Sequence, residues 1–107
     1  MINWDKVQEL AEDVGQDAFG EVLELFLSEV ETALRCLPVS DDIEAAVHFV
    51  KGCALNLGFE QLALACATAE RLAATGAPDK VDITALDRIY QSSRDLFLAE
   101  YRQRLAA

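Results

Sequence analysis

The sequence predicts an all-α protein, an antiparallel up-down four-helix bundle with a short accessory helix at its N-terminus. Apolar residues recur at spacings of three and four through almost the whole chain, which is the periodicity of helices with one buried face. Alternating apolar and polar segments bounded by hairpin signals such as Asn-Gly are absent from the sequence. Short connections between long helices favour antiparallel neighbours, and 107 residues fit one domain over residues 1–107.

Capping and helix-breaking residues predict where the first two helices begin and end. Asn3 can cap a short first helix that ends at Gly15. The second helix is expected over about residues 17–37, because Pro38 cannot continue it. The predicted buried residues are Trp4, Val7, Leu10, Ala11 and Val14 in the first helix, and Phe19, Val22, Leu23, Phe26, Val30, Ala33, Leu34 and Leu37 in the second.

The third helix begins after three residues that can cap it, Ser40, Asp41 and Asp42. It is expected to run to about Leu57, with Gly58 as its left-handed terminator. The predicted buried stripe consists of Ile43, Val47, Val50, Ala54 and Leu57.

A thin, alanine-rich fourth helix is expected over about residues 59–74. The Thr-Gly-Ala-Pro-Asp segment at 75–79 is the clearest loop, and Asp82 can cap a long last helix. The predicted buried residues are Leu62, Ala65, Cys66, Ala69, Leu72 and Ala73 in the fourth helix, and Leu86, Ile89, Tyr90, Leu96, Phe97, Tyr101 and Leu105 in the last.

Composition disfavours several classes of protein. Nineteen acidic against nine basic side chains give a net charge of -10, which repels nucleic-acid phosphates and anionic lipid headgroups. The N-terminus has no signal-peptide pattern, and no apolar run approaches the roughly twenty residues needed to span a bilayer. Cys36, Cys53 and Cys66 have no CxxC spacing and are expected to be reduced core thiols. A cytoplasmic protein that binds neither nucleic acid nor membrane is therefore expected.

The only histidine, His48, lies in the third helix beside the residues that best indicate a function. At about 100° per residue it projects about 140° from the centre of the buried stripe, so its ring should be exposed. Lys51 follows one turn later, and Gly52 and Leu55 share the same outward side. Because glycine inside a helix costs about 1 kcal/mol relative to alanine, Gly52 suggests a partner that comes close, and Leu55 offers it an apolar contact.

These residues are part of a longer pattern that resembles a known family, the histidine-containing phosphotransfer (HPt) domains of multistep phosphorelays. The family signature is His-x-x-Lys-Gly, followed by an apolar residue and glycine. The matching positions are His48, Lys51, Gly52, Leu57 and Gly58, with Leu62, Cys66 and Glu70 continuing the likeness in the fourth helix. The chain departs from the family pattern at Cys53, where serine is common, and at Phe59, where a smaller residue is frequent.

The resemblance implies that His48 accepts a phosphoryl group from the aspartate of a receiver domain or a hybrid histidine kinase, and passes it to a response-regulator aspartate. It places Glu70 as the carboxylate that holds Nδ1–H of the imidazole, which leaves Nε2 to attack. Lys51 would contact the phosphoryl oxygens as a point charge. The chain would be a phosphocarrier without a kinase or ATP site and without a cofactor, and magnesium is expected on the partner receiver.

Other interpretations of the same residues stay open at this point. His48 could be a surface histidine without a role, Lys51 an exposed ion-pair residue worth under about 1 kcal/mol, and Glu70 a solvated charge. The alternative function is a non-catalytic helical adaptor that binds receiver domains through the Leu55 face. An oligomerisation bundle is disfavoured because Gly and Pro residues interrupt the heptads, so a monomer is expected.

Overall fold

The computed structural model describes residues 1–105, and that part of the chain contains five α-helices. They are α1 (Trp4–Val14), α2 (Gln16–Cys36), α3 (Ile43–Leu57), α4 (Glu60–Ala74) and α5 (Ile83–Leu105). Single 3-10 turns at Leu37–Val39 and Pro78–Lys80 lie in the longer connections. Helices α2 to α5 pack as a bundle, each against its sequence neighbour and α5 back against α2, while α1 covers α2 and α3. The predicted fold class is confirmed.

The predicted caps at Asn3 and Asp82 are confirmed, and of the three candidates before α3 it is Asp42 that caps the helix. The side chains of Asn3, Asp42 and Asp82 each accept a hydrogen bond from the backbone N–H three residues later, at 3.3, 3.0 and 2.9 Å. These bonds satisfy amide groups that have no partner inside the helix. Gly15, with φ of +85°, separates α1 from α2 with no other residue between them. Local residues thus fix where α1, α3 and α5 begin.

The corner between α3 and α4 is closed by the N-terminal residues. Gly58 ends α3 with φ of +72°, and its carbonyl accepts a hydrogen bond from the backbone N–H of Asn3 at 2.7 Å. Ile2 pairs with Phe59 in an isolated β-bridge, so Phe59 lies outside the helix and α4 begins at Glu60, one residue later than predicted. Phe59 is fully buried, with its ring centroid 5.6 Å from that of Phe97 in α5. Phe59, where the chain departs from the family pattern, is therefore a core residue.

Two predicted core positions are wrong. Leu96 is 37% exposed, whereas Ser93 is buried in its place. The buried face of α5 follows Tyr90, Ser93 and Phe97, and Leu96 lies about 100° away from Phe97 because it is the adjacent residue on the helix. Cys36 is an exposed thiol, since α2 ends there and the buried side chain of that turn is the next residue, Leu37.

Candidate functional site

Burial of one face of α3 sets the direction of His48. Val47, Val50 and Ala54 are completely buried in the bundle core, so the helix cannot rotate without exposing them. The His48 side chain lies on the opposite side and is 67% exposed. A globular partner can therefore reach this ring from solvent, as the helical periodicity predicted.

Glu70 on α4 lies against the same ring. Its Oε2 is 2.7 Å from Nδ1 of His48, a hydrogen bond between residues that are 22 positions apart in sequence. An ionised carboxylate can only accept, so in this bond Nδ1 carries the hydrogen and the lone pair of the neutral ring is on Nε2. No group within residues 1–105 hydrogen-bonds to Nε2. The separation is short, as the interpretation of Glu70 as an imidazole orienter requires.

Lys51 completes a three-residue arrangement, but in a way that the sequence did not predict. Its Nζ donates to Oε1 of Glu70 at 2.5 Å, and its side chain is 26% exposed. Glu70 therefore bridges the two α3 residues, one with each carboxylate oxygen. The hydrogen bond from Lys51, followed by that from His48, lowers the pKa of the Glu70 carboxyl below its ordinary value.

Gly52 and Leu55 extend the exposed surface away from this arrangement. A Cβ added to Gly52 would meet no other atom within 4 Å, so packing inside this chain does not require glycine there. The side chain of Leu55 is on the outer surface, 53% exposed. The structure thus places Gly52 and Leu55 on the solvent side of α3, as predicted, and among residues 1–105 no close packing accounts for the glycine.

Leu64 on α4 is a candidate binding residue that the sequence analysis missed. It is 70% exposed, the highest value for a large apolar side chain in α1 to α5 of residues 1–105. It lines a groove of about 340 Å³ between α3 and α4, together with Lys51, Leu55, Glu60, Ala63 and Ala67. The sequence could have indicated this residue, because Leu64 is a large apolar side chain outside the predicted buried stripe of an otherwise alanine-rich helix.

The described residues do not support a metal site, a reactive cysteine or a membrane-spanning helix. Within residues 1–105, no three His, Cys, Asp or Glu side chains are placed together so that they could hold a metal ion. Burial raises the pKa of the Cys53 thiol and raises that of Cys66 to about 12, so neither supplies a thiolate near neutral pH. In the same range of the chain, no helix has both the length and the apolarity to cross a membrane.

Comparison with known proteins identifies the family. The family model described as Hpt domain matches residues 8–107, which is nearly the whole chain. The chain therefore belongs to the Hpt domain family. This is a phosphocarrier family of two-component signalling whose members interact with receiver domains and kinases. Searches of curated proteins and of solved structures returned no match.

Proposed function

We propose that this chain is a phosphorelay intermediate in which His48 is the phosphoacceptor. It takes a phosphoryl group from the aspartate of a receiver domain, or from a hybrid histidine kinase, and passes it to the aspartate of a response regulator. The observation that carries the proposal is the exposed His48 ring, bound at Nδ1 by Glu70 and without a hydrogen-bond partner at Nε2 among the described residues. An imidazole held in this way is ready for nucleophilic attack.

The proposed reaction balances without any group beyond the two proteins and the receiver's metal ion. The Nε2 lone pair attacks the phosphorus of the aspartyl phosphate, a P–N bond forms, and the P–O bond breaks with its electron pair remaining on the aspartate carboxylate. The hydrogen on Nδ1 stays in place, so the phosphorylated ring carries positive charge. Glu70, 2.7 Å from Nδ1, stabilises that charge. Transfer onward is the reverse reaction with a second aspartate.

Lys51 is proposed to help hold the phosphoryl oxygens. Lys51 follows His48 by one helical turn and its ammonium is bound to Glu70, so the ammonium is fixed near the site before a partner arrives. Phosphoryl transfer depends on positioning and on neutralising the oxygens, and a lysine contributes a point charge for that purpose. The magnesium ion belongs, in this proposal, to the receiver, and the chain itself uses no cofactor and no ATP.

The net charge of the chain and the partners of its family suggest where the protein acts and what it binds. We propose a monomeric cytoplasmic protein whose partners are receiver domains and histidine kinases. The net charge of -10 is compatible with a basic rim on those partners and unfavourable for nucleic acid. Specificity among several receivers would then depend on the residues around His48 that touch the partner.

Phosphoryl transfer from a radiolabelled phosphorylated receiver tests the proposal. The chain should acquire label that is acid-labile and base-stable, as expected for a phosphohistidine, and His48→Gln should acquire none. Because His48 is exposed, the variant should keep the helical circular dichroism and the unfolding midpoint of the wild type.

Two results would contradict the proposal. Normal labelling of His48→Gln would remove this histidine from the reaction. A wild-type chain that binds the phosphorylated receivers tightly but never becomes labelled would instead be the non-catalytic adaptor, with the Leu55 face as its binding surface.

A further inference from the structure

A cavity of about 430 Å³ opens at the end of the bundle where α1, the start of α2 and the end of α5 meet. Ala11 and Phe19 on its floor are buried. Tyr101 and Leu105 beside them are half-buried, and the ring centroids of Phe19 and Tyr101 lie 6.0 Å apart. Binding pockets typically have volumes of about 300–1,000 Å³. The cavity is therefore large enough to hold an apolar group.

Polar residues line the mouth of this cavity, and acidic side chains lie beside them. Gln8, Gln16 and Arg102 are exposed lining residues. The amide of Gln8 donates a hydrogen bond to the carboxylate of Glu12 at 3.2 Å, and Asp17 follows Gln16 in the first turn of α2. None of the lining residues within residues 1–105 is acidic. The negative charge is therefore at the mouth of the cavity and not on its floor.

The charge around the cavity favours a basic occupant. Residues 5–24, in α1 and the first half of α2, contain seven Asp or Glu residues and one lysine, Lys6, which is bound to Glu9 at 3.3 Å. Residues 95–105 of α5 contain two acidic and two basic side chains, so they do not offset this charge. The guanidinium of Arg102, the basic lining residue, lies over the Tyr101 ring at 5.6 Å from its centroid. Basic groups are attracted to this end of the bundle and acidic groups are repelled.

The apolar floor and the acidic mouth together define the chemistry of the occupant. A small cation would find no carboxylate inside the cavity, and an uncharged apolar molecule would not use the acidic mouth. A peptide segment with a large apolar side chain between lysines or arginines fits both features, because its long basic side chains reach the rim while the apolar one fills the cavity. A second copy of this chain is the weaker match, since each copy has a net charge of -10.

The cavity and the candidate phosphoacceptor are on different helices. The residues that line the cavity belong to α1, α2 and α5, whereas His48 and Lys51 are on α3 and Glu70 is on α4. The His48 side chain is exposed on the face of α3 opposite the bundle core. An occupant of the cavity therefore leaves the imidazole accessible.

We propose that the end of the bundle formed by α1, α2 and α5 binds a basic amphipathic segment of a partner protein. One apolar side chain of the segment fills the cavity beside Phe19 and Tyr101, and its lysines or arginines pair with Glu12 and Asp17. This second binding surface is separate from His48, so the inference does not rest on the proposed phosphorelay function. A partner bound there holds the chain at a raised local concentration while His48 stays open to other proteins.

Fluorescence anisotropy with synthetic peptides tests the inference. The probe is an amphipathic helical peptide of leucine and lysine, about five turns long, in about 0.15 M salt. Two control peptides have the same length: one has alanine in place of leucine, and the other has glutamate in place of lysine. The leucine–lysine peptide should bind, the alanine–lysine peptide should bind at least tenfold more weakly, and the glutamate peptide should not bind measurably.

Two variants of the chain, each with a matched control, locate the binding. Asp17→Lys should raise the dissociation constant of the leucine–lysine peptide at least fivefold. Glu44→Lys, the same charge change in the first turn of α3, should stay within twofold of wild type. Leu105→Ala should raise the dissociation constant at least threefold, because the side chain lines the cavity, and Leu64→Ala on the surface of α4 should stay within twofold.

Proton NMR of the wild-type chain locates the peptide without any substitution. The ring signals of Phe19 and Tyr101 should shift when the leucine–lysine peptide is added, because both rings line the cavity. The ring signals of His48 should stay unchanged, because the imidazole is on the outer face of α3.

Several results would overturn the inference. Absence of binding up to about 1 mM leucine–lysine peptide would mean that the cavity does not take such a segment. Equal binding of the alanine–lysine peptide, an unchanged affinity of Leu105→Ala, or equal losses in Asp17→Lys and Glu44→Lys would mean attraction to net charge alone. Shifted His48 signals without shifts of the cavity rings would place the peptide on α3. A dimer in sedimentation that is lost in Leu105→Ala would make a second copy of the chain the occupant.

Discussion

The carboxylate of Glu70 accepts a hydrogen bond from Nδ1 of His48 at 2.7 Å, across the contact between α4 and α3. Its second oxygen is bound by Lys51 at 2.5 Å, so one side chain fixes two residues of the neighbouring helix. This geometry allows Glu70 to set the tautomer of the ring and the position of the ammonium at the same time. The consequences for transfer rate and for pH dependence can be tested separately.

Replacement of Glu70 should slow phosphoryl transfer. Glu70→Ala removes the acceptor of Nδ1–H, and a hydrogen bond worth about 1 kcal/mol corresponds to a rate loss of roughly fivefold. Glu70→Gln keeps an amide oxygen that can accept, so its loss should be smaller. Rapid-quench transfer assays measure the rates, and nitrogen NMR of the His48 ring shows which nitrogen carries hydrogen. An unchanged tautomer and rate in Glu70→Ala would reduce Glu70 to a structural ion-pair residue.

The free energy of unfolding should depend on pH through Glu70. Hydrogen bonds from Lys51 and then His48 hold its pKa in the folded chain below the ordinary value of 4.5. A carboxyl with a lowered pKa adds stability that is fully present above its ordinary pKa and is lost as the pH falls through the lowered value. The stability difference between wild type and Glu70→Gln should therefore be largest above about pH 5 and shrink in more acidic solution.

Urea unfolding between about pH 2.5 and 6 measures this difference, and Glu24→Gln is the matched control. Glu24 is exposed on α2, and no other side chain of the described residues hydrogen-bonds to it. Its variant gives the background effect of removing one negative charge from an acidic protein. A Glu70→Gln difference that stays constant over this range, after that subtraction, would contradict the assignment.

Much of the fold could be predicted because it depends on local residues. The caps at Asn3, Asp42 and Asp82 and the left-handed end of α3 at Gly58 each need only a side chain and the backbone next to it. The pairing of Ile2 with the residue after Gly58 could not be predicted, since it joins segments far apart in sequence. Leu96 was wrongly predicted to be buried, because the buried face of α5 includes Ser93 and a polar residue does not indicate a buried position.

The candidate site, like the fold, has features that a single helix determines and features that depend on how the helices pack. Helical periodicity alone predicted that His48 faces solvent, because its position relative to Val47 and Val50 is fixed by one helix. The contact with Glu70 was expected only from the family resemblance, and the bond between Lys51 and Glu70 was not expected at all. Both depend on the register of α4 against α3, which is set by packing of the whole bundle.

Gly52→Ala should stabilise the chain and slow phosphoryl transfer from a partner receiver. An added Cβ meets open space inside α3, so the gain should be about 0.5–1 kcal/mol in the free energy of unfolding. Gly20→Ala is the matched control, because Gly20 also lies inside a helix with open space around it. Both variants should show the stability gain in urea, but only Gly52→Ala should slow transfer from a phosphorylated receiver. Equal transfer rates would mean that no partner backbone approaches position 52.

Gly58→Ala should destabilise the chain far more than the same change at Gly76. Both glycines have φ near +70 to +85°, where alanine is strained by about 1 kcal/mol. At Gly76 the added Cβ meets nothing within 4 Å, whereas at Gly58 it would overlap the backbone carbonyl oxygen of Asn3. The N-terminal segment must then move away, and the hydrogen bond from Asn3 N–H to the carbonyl of residue 58, 2.7 Å long, is lost.

The expected loss for Gly58→Ala is therefore roughly 2 kcal/mol or more, against about 1 kcal/mol for Gly76→Ala, measured by urea unfolding. Trp4, the only tryptophan, stacks on Phe97 with ring centroids 5.5 Å apart and reports the position of α1. Its fluorescence should change in the folded Gly58→Ala protein and stay constant in Gly76→Ala. Equal stability losses with unchanged fluorescence would show that the close contact between the N-terminal segment and the α3–α4 corner is not required for the fold.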